Sequence, residues 1–176
     1  MITALKMLLA FTFLTGLVYP IFVTGVSQVL FPSKANGSLI VKGDKVIGSE
    51  LIGQSFLSDK YFKSRPSSVD YDPRSSGATN LSVTAKKFQE SVINRRENFH
   101  SDELLTASAS GLDPHITPTG ALEQIERILQ ARGIDYNQKS KLVKIIESLT
   151  ENKTFGILGE KRVNVLKLNL KLDEEL

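Results

Sequence analysis

Residues 7–31 read MLLAFTFLTGLVYPIFVTGVSQVLF, a run of 25 residues without a single Asp, Glu, Lys, Arg or His. A helix rises ~1.5 Å per residue, so this stretch is long enough to cross a hydrocarbon core of ~30 Å. A cleaved secretory leader would show an apolar region of ~7–15 residues ending at small residues. Here the run is longer and passes through Phe31-Pro32 into Ser33-Lys34 without an A-x-A pattern. The sequence therefore predicts an uncleaved membrane anchor over residues 1–31. Gly16, Pro20 and Gly25 would weaken a core helix in water but are tolerated in a bilayer. Pro20 lacks an N–H and presses on the carbonyl of Gly16, so a kink is expected there. Thr12 and Gly16, with Thr15, form a small-residue face that a second helix could approach; a lone span with incidental small residues is an equal alternative.

Working outward, Lys6 is the only charge before residue 32, leaving 21 basic and 19 acidic side chains for residues 32–176. A remainder of this size can bury its own core. With basic and acidic groups so nearly balanced, a sequence pI of 9.1 does not argue for nucleic acid, and no aromatic-basic interleaving is present. The chain has no Cys and no Trp, which excludes disulfides, thiolate metal sites, cysteine nucleophiles and a Trp-lined ligand box. Near the anchor, Lys34, Lys42 and Lys45 outnumber Lys6 and the amino terminus, a slight bias toward a cytoplasmic domain.

SLIVKGDKVIG at 38–48 predicts a hairpin turning at Gly43-Asp44. Residues 63–83, rich in Ser, Pro, Asp, Arg and Gly, predict a long loop. A helix is expected over 84–98 with Phe88, Val92 and Ile93 on one apolar side. Thr117-Pro118 supplies a cap and a first helical proline; Leu122, Ile125, Ile128 and Leu129 then repeat at helical spacing until Gly133. Another helix starts at Asn137, burying Leu142, Ile145, Ile146 and Leu149. From Val163 to Leu172 leucines alternate with Lys167, Asn169 and Lys171, which predicts a half-buried strand. The fold class is one transmembrane helix plus a mixed α/β (α+β) domain spanning 32–176.

Chemistry concentrates in Thr106–Thr117, TASASGLDPHIT. Ser108, Ser110, Asp113 and His115 invite a hydrolase reading. Neither serine sits in a G-x-S-x-G elbow, and triad members normally converge from separate parts of a fold. His100 is the only other histidine and no H-E-x-x-H motif exists, so no metal site is expected. The favoured reading is that Ser, Asp and Thr satisfy loop backbone groups and cap the following helix. GILGEK at 156–161 lacks the spacing and terminal hydroxyl of a phosphate loop. Lys86-Lys87 and Arg95-Arg96 read as a solvated helix face.

Beyond these readings, an ordered series runs along the whole chain: GSELIGQ at 48–54, Tyr61-Phe62, Arg65-Pro66-Ser67, SGATNL at 76–81, the 106–117 segment, Ala131-Arg132-Gly133 and RVNVL at 162–166. In this series the chain resembles the C subunit of the Kdp-type potassium-transporting P-type ATPase. It departs from the family pattern at Ala78 and Thr79, at Ala109, at Thr117, and at Thr84-Ala85, where Asn-Pro is usual. The resemblance implies a non-catalytic accessory subunit of an ATP-driven potassium uptake complex in the cell membrane. Its partners would be a channel-like potassium-translocating subunit and the phosphorylated P-type subunit. It further implies a catalytic chaperone that raises the ATP affinity of the hydrolysing subunit and stabilises the complex. The amino terminus would be cytoplasmic and the main domain extracytoplasmic, so ATP and potassium would be met through the complex and no cofactor bound directly. Ser108, Ser110, Gly111, Asp113 and His115 would be partner- or nucleotide-related, and Thr12, Gly16 and Pro20 would serve helix packing. A membrane-anchored extracytoplasmic hydrolase using Ser110, Asp113 and His115 is the alternative.

Overall fold

A computed structural model describes all 176 residues, Met1–Leu176. The chain divides into two compact units, Met1–Ser49 and Glu50–Leu176.

The first unit begins with a continuous helix from Ile2 to Leu30, 29 residues with a mean hydropathy of 1.9 over its most apolar window and none of that window buried. It is long and apolar enough to span a membrane. It comprises α1 (Ile2–Phe13), a π-turn over Leu14–Val18 and α2 (Tyr19–Leu30). The π-turn ends just before Pro20, and Tyr19 N–H donates to the Leu14 carbonyl. Widening the turn accommodates a ring that cannot donate, and such turns are places where helices bend. Thr15 turns its hydroxyl back onto the Phe11 carbonyl, 2.6 Å away, whereas a Cβ at Gly16 would meet nothing within 4 Å. A short α3 (Pro32–Ala35) leads to β1 (Leu39–Lys42) and β2 (Lys45–Ser49), an antiparallel hairpin with a bulge between Ile40 and Val41. Gly43 turns it with φ +62°, as the Gly-Asp pair predicts.

The second unit opens with residues 50–85, which contain neither helix nor strand. Then follow α4 (Lys86–Arg96), α5 (Asp102–Leu105), β3 (His115–Ile116), α6 (Pro118–Leu122), α7 (Ile125–Arg132), a 3-10 turn (Tyr136–Gln138), α8 (Lys139–Leu149), β4 (Thr150–Glu151), β5 (Arg162–Asn164) and α9 (Val165–Glu175). The strands form one small antiparallel sheet in the order β3-β5-β4. Phe62, Leu104, Ile116, Ile125, Ile128, Leu142, Ile146, Val163, Leu168 and Leu172 make the core.

Several local expectations need correction. The alternating leucines after Val163 are a strand only to Asn164; Val165–Glu175 is helix. Its buried positions are Val165, Leu166, Leu168, Asn169 and Leu172, and all but Leu166 recur at a period of 3.6. Leu, Lys and Glu favour helix over strand, and Asn164 caps it by accepting from Lys167 N–H. The helix expected from Pro118 is broken at Glu123-Gln124, and Leu122 is 42% exposed. Gln124 is pulled inward to bracket a loop. In α4, Ile93 is 63% exposed while Phe88 and Val92 are half-buried. Thr117 does cap α6, accepting from Gly120 N–H, and Gly133 ends α7 in the left-handed region at φ +66°.

The irregular stretch 50–85 is held by buried side-chain amides. Asn169 accepts from Phe62 N–H at 2.8 Å and donates to the Phe62 carbonyl at 2.9 Å. Gln124 does the same for Lys63, at 2.8 and 3.2 Å. Two amides thus stand in for a neighbouring strand, which satisfies backbone groups that burial would otherwise strand.

Candidate functional site

The segment from Thr106 to Thr117 crosses the second unit as a loop bound on every side by main-chain hydrogen bonds. Ser108 N–H donates to the Pro66 carbonyl at 3.0 Å, and Gly77 N–H to that of Ser110 at 3.0 Å. Gly53 N–H donates to Leu112 at 2.7 Å, and Val165 N–H to Pro114 at 2.9 Å. The Ser76 hydroxyl adds a second bond to the Ser110 carbonyl, 3.2 Å long. Segments far apart in sequence therefore converge on one loop.

Two glycines make this convergence possible. A Cβ at Gly53 would lie 2.5 Å from the Asp113 carbonyl oxygen, inside the backbone itself. Gly111 combines φ +71° with a site where a Cβ would stand 2.6 Å from a Val69 methyl and 3.1 Å from the Gly77 carbonyl. Only a residue without a side chain fits both the angle and the space.

The loop's polar side chains serve its shape. Ser110 Oγ accepts from Leu112 N–H at 3.1 Å, and Asp113 Oδ1 accepts from His115 N–H at 3.0 Å. The other Asp113 oxygen meets Arg65 Nη1 at 3.3 Å. Ser108 is 3% exposed. Neither serine hydrogen-bonds His115, so the nucleophile–base contact of a hydrolase is not formed. His115 Nδ1 lies 3.8 Å from Asp113 Oδ1, a loose approach.

Asp113 and His115 open onto a cleft of about 240 Å³ with Arg65, Glu103, Thr117, Lys161 and Arg162 on its other sides. Glu103 accepts from Thr117 N–H at 2.9 Å and from the Thr117 hydroxyl at 2.6 Å. Arg162 pairs with Glu151 at 2.8 Å. Burial is the largest influence on His115 and pushes its pKa below the ordinary imidazole value, helped by Arg162 and Lys167 and opposed by Asp113 and Glu151. The imidazole is accordingly neutral at pH 7. With Glu103, Asp113 and Glu160 set against Arg65, Lys161 and Arg162, the cleft carries both signs of charge and no single-sign field.

The five loop residues named from sequence thus divide. Asp113 and His115 face the cleft, while Ser108, Ser110 and Gly111 build the loop beneath and beside it. Sequence reasoning missed Glu103, Lys161 and Arg162 as neighbours of His115. Arg65 and Arg162 carried a signal, since both lie in the ordered series of motifs; Glu103 carried none.

A family model described as K+-transporting ATPase, c chain, matches residues 1–174. The chain belongs to the KdpC family. Curated members named potassium-transporting ATPase KdpC subunit match it along nearly their whole length. The one from Gloeobacter violaceus is 46% identical, with 97% of this chain and 94% of the relative covered. Those from Allorhizobium ampelinum and Caldanaerobacter subterraneus are 42% and 43% identical, covering 97% and 98% of this chain and 93% of each relative. KdpC is a subunit of the K+-transporting ATPase, so family membership and the Ile2–Leu30 helix together describe a membrane-anchored subunit of a potassium transporter. The resemblance read from the motif series and the family found by comparison are the same.

Proposed function

We propose that this chain is the accessory, non-catalytic subunit that stabilises the potassium-uptake ATPase and raises the ATP affinity of its hydrolysing P-type subunit. Its partners are that subunit and the channel-like potassium-translocating subunit. The amino terminus is cytoplasmic and residues 32–176 form the extracytoplasmic domain. No cofactor binds the chain directly; ATP and potassium are handled by the complex.

The observation that carries this reading is the loop Thr106–His115. Ser110 and one Asp113 oxygen hold backbone groups of the loop itself, the other Asp113 oxygen holds Arg65, and Gly53 and Gly111 allow the close packing. Such a surface is shaped in advance, which lowers the entropy cost of binding a protein partner. Asp113 and His115 act in that surface by shape and contact and not by proton transfer. In the membrane, the open space at Gly16, inside the π-turn that precedes Pro20, suits close approach of a partner helix. An anchored hydrolase has no observation in its favour, because Ser110 and His115 are not bonded to each other.

Because the domain is placed outside while ATP is cytoplasmic, the effect on ATP affinity is transmitted through the partner subunits. Detergent extraction with pull-down on this chain should recover two large membrane partners, and a reporter fused after Leu176 should be active only outside the cytoplasm. Recovery of no partner, or a reporter active in the cytoplasm, contradicts assembly or orientation respectively.

A further inference from the structure

The hairpin β1–β2 leaves the membrane helix abruptly and is strapped back onto it. A helix of 29 residues at ~1.5 Å per residue is about 44 Å long, which matches a whole bilayer with its headgroup layers. Its last turn therefore lies at headgroup depth. Beyond Leu30 the chain turns at Phe31, makes the single turn of α3 and brings Asn36 beside Gln28. The two side-chain amides bond each other reciprocally, Asn36 donating at 3.1 Å and accepting at 3.2 Å. Gly37 and Ser38 then take left-handed backbone, φ +86° and +49°, to enter β1. The Ser49 hydroxyl donates to the Gly37 carbonyl at 2.7 Å. Both ends of the hairpin are thus held beside the final turn of the helix.

At that depth the hairpin is amphipathic. Val41 and Val46 are cross-strand partners, so they share a face, and Leu39, two residues from Val41, lies on it too. All three are more than half exposed, Leu39 at 52%, Val41 at 56% and Val46 at 59%. Toward the turn, Lys42 stands opposite Lys45, a like-charge pair that costs an isolated hairpin stability. Lys34 in α3 adds a third cation, and Asp44 is the only acid between residues 32 and 49.

We propose that the β1–β2 hairpin lies on the membrane surface and binds anionic phospholipid. Leu39, Val41 and Val46 face the acyl chains, while Lys34, Lys42 and Lys45 meet headgroup phosphates. The cation excess sets this surface apart from a protein interface, whose polar rim has no need of one sign. A basic element with one apolar face is the pattern of a lipid-surface contact. Long lysine stems reach from the opposite face of the strands to the phosphate layer. Three aliphatic side chains are a weak hold alone. The anchor makes the contact intramolecular in effect, and a tethered contact is occupied at affinities too low for a free one. The inference rests on Ile2–Leu30 spanning the membrane. It holds on either side of the bilayer, and so stands apart from the proposed orientation and the effect on ATP affinity.

The chain has no cysteine, so Val41→Cys accepts a single environment-sensitive fluorophore. The labelled full chain is placed in vesicles of phosphatidylcholine, with or without phosphatidylglycerol, that carry nitroxide quenchers on their acyl chains. With phosphatidylglycerol the label should be quenched and its emission shifted to the blue. Leaving out the anionic lipid, or adding salt, should reverse much of this. Lys42→Gln with Lys45→Gln should lower the ratio of docked to free hairpin roughly fivefold for each lysine removed, and Lys42→Arg with Lys45→Arg should preserve it. In cells making the whole complex, a photo-crosslinking residue at Val46 should capture phospholipid as its main product. A label that stays in water, or quenching indifferent to phosphatidylglycerol or to the Gln pair, overturns the proposal. A crosslink mainly to another subunit or to the rest of this chain, or no crosslink, overturns it as well.

Discussion

Two loops leave the same small sheet, and they are ordered in opposite ways. Residues 106–114, leading into β3, are tied by main-chain bonds to Gly53, Pro66, Gly77 and Val165. The loop between β4 and β5 has its tip closed by bonds within the loop itself, two between Thr154 and Leu158, one from Gly156 N–H to the Lys153 carbonyl and one from Ile157 N–H to that of Thr154. The first is polar and is bonded to the segments around it; the second is apolar, is bonded within itself and leaves its large side chains exposed. A loop whose polar groups are all used can offer shape and a few outward side chains. One that holds itself in a turn can offer hydrophobic payload without involving the rest of the domain. Their responses to substitution should therefore differ.

The largest difference is expected at glycine. Gly111→Ala must place a methyl group against Val69 and the Gly77 carbonyl at φ +71°. Left-handed strain and overpacking together should cost about 3 kcal/mol. Gly156→Ala meets the same kind of angle, φ +75°, in open space, and should cost only about 1 kcal/mol. Urea midpoints of the full-length variants in detergent measure both; equal losses would erase the contrast between the two loops.

A smaller, pH-dependent effect belongs to His115. Its native pKa is depressed, mainly by burial, whereas the unfolded value is about 6.5. Above that pH both states hold a neutral ring and no proton linkage operates. As pH falls below about 6.5 the unfolded chain binds the proton first, so native stability declines until the native pKa is passed. His115→Gln should flatten that part of the decline, so the difference between variant and wild type is constant above about pH 6.5 and shifts in the variant's favour as the pH falls to about 5.5. A difference that grows above pH 6.5 instead would reverse the assignment of burial as the dominant influence.

Much of this arrangement was readable from the residues, for reasons that can be named. The apolar run, the Gly43 turn, the Thr117 cap and the Gly133 stop each depend on local chemistry, and local chemistry survives into the fold. Val163–Leu172 misled because alternating leucines satisfy a period of 2 and also place Val165, Leu168 and Leu172 on one helical face. Helix propensity and the Asn164 cap decide between the two. The break between α6 and α7 was invisible because its cause is tertiary: Gln124 turns inward to bond Lys63, 61 residues away. In the same way, the loop 106–117 was recognisable as the chemically dense segment, but Glu103, Lys161 and Arg162 reach its cleft through chain crossings that no spacing announces. The exposed tip was read only as a failed phosphate loop, since exposure of Phe155 and Ile157 is a property of the fold and not of their hydrophobicity.

The central claim is that this chain changes how its partners use ATP while performing no hydrolysis itself. The direct measurement is the ATP concentration dependence of hydrolysis by the purified partner subunits, alone and after adding back this chain or its His115→Ala variant. The account predicts a lower apparent KM for ATP with the wild-type chain, little change in maximal rate, and a weakened effect with His115→Ala through looser assembly. An unchanged KM on addition of the wild-type chain, or nucleotide hydrolysis by the isolated chain that His115→Ala abolishes, would contradict it.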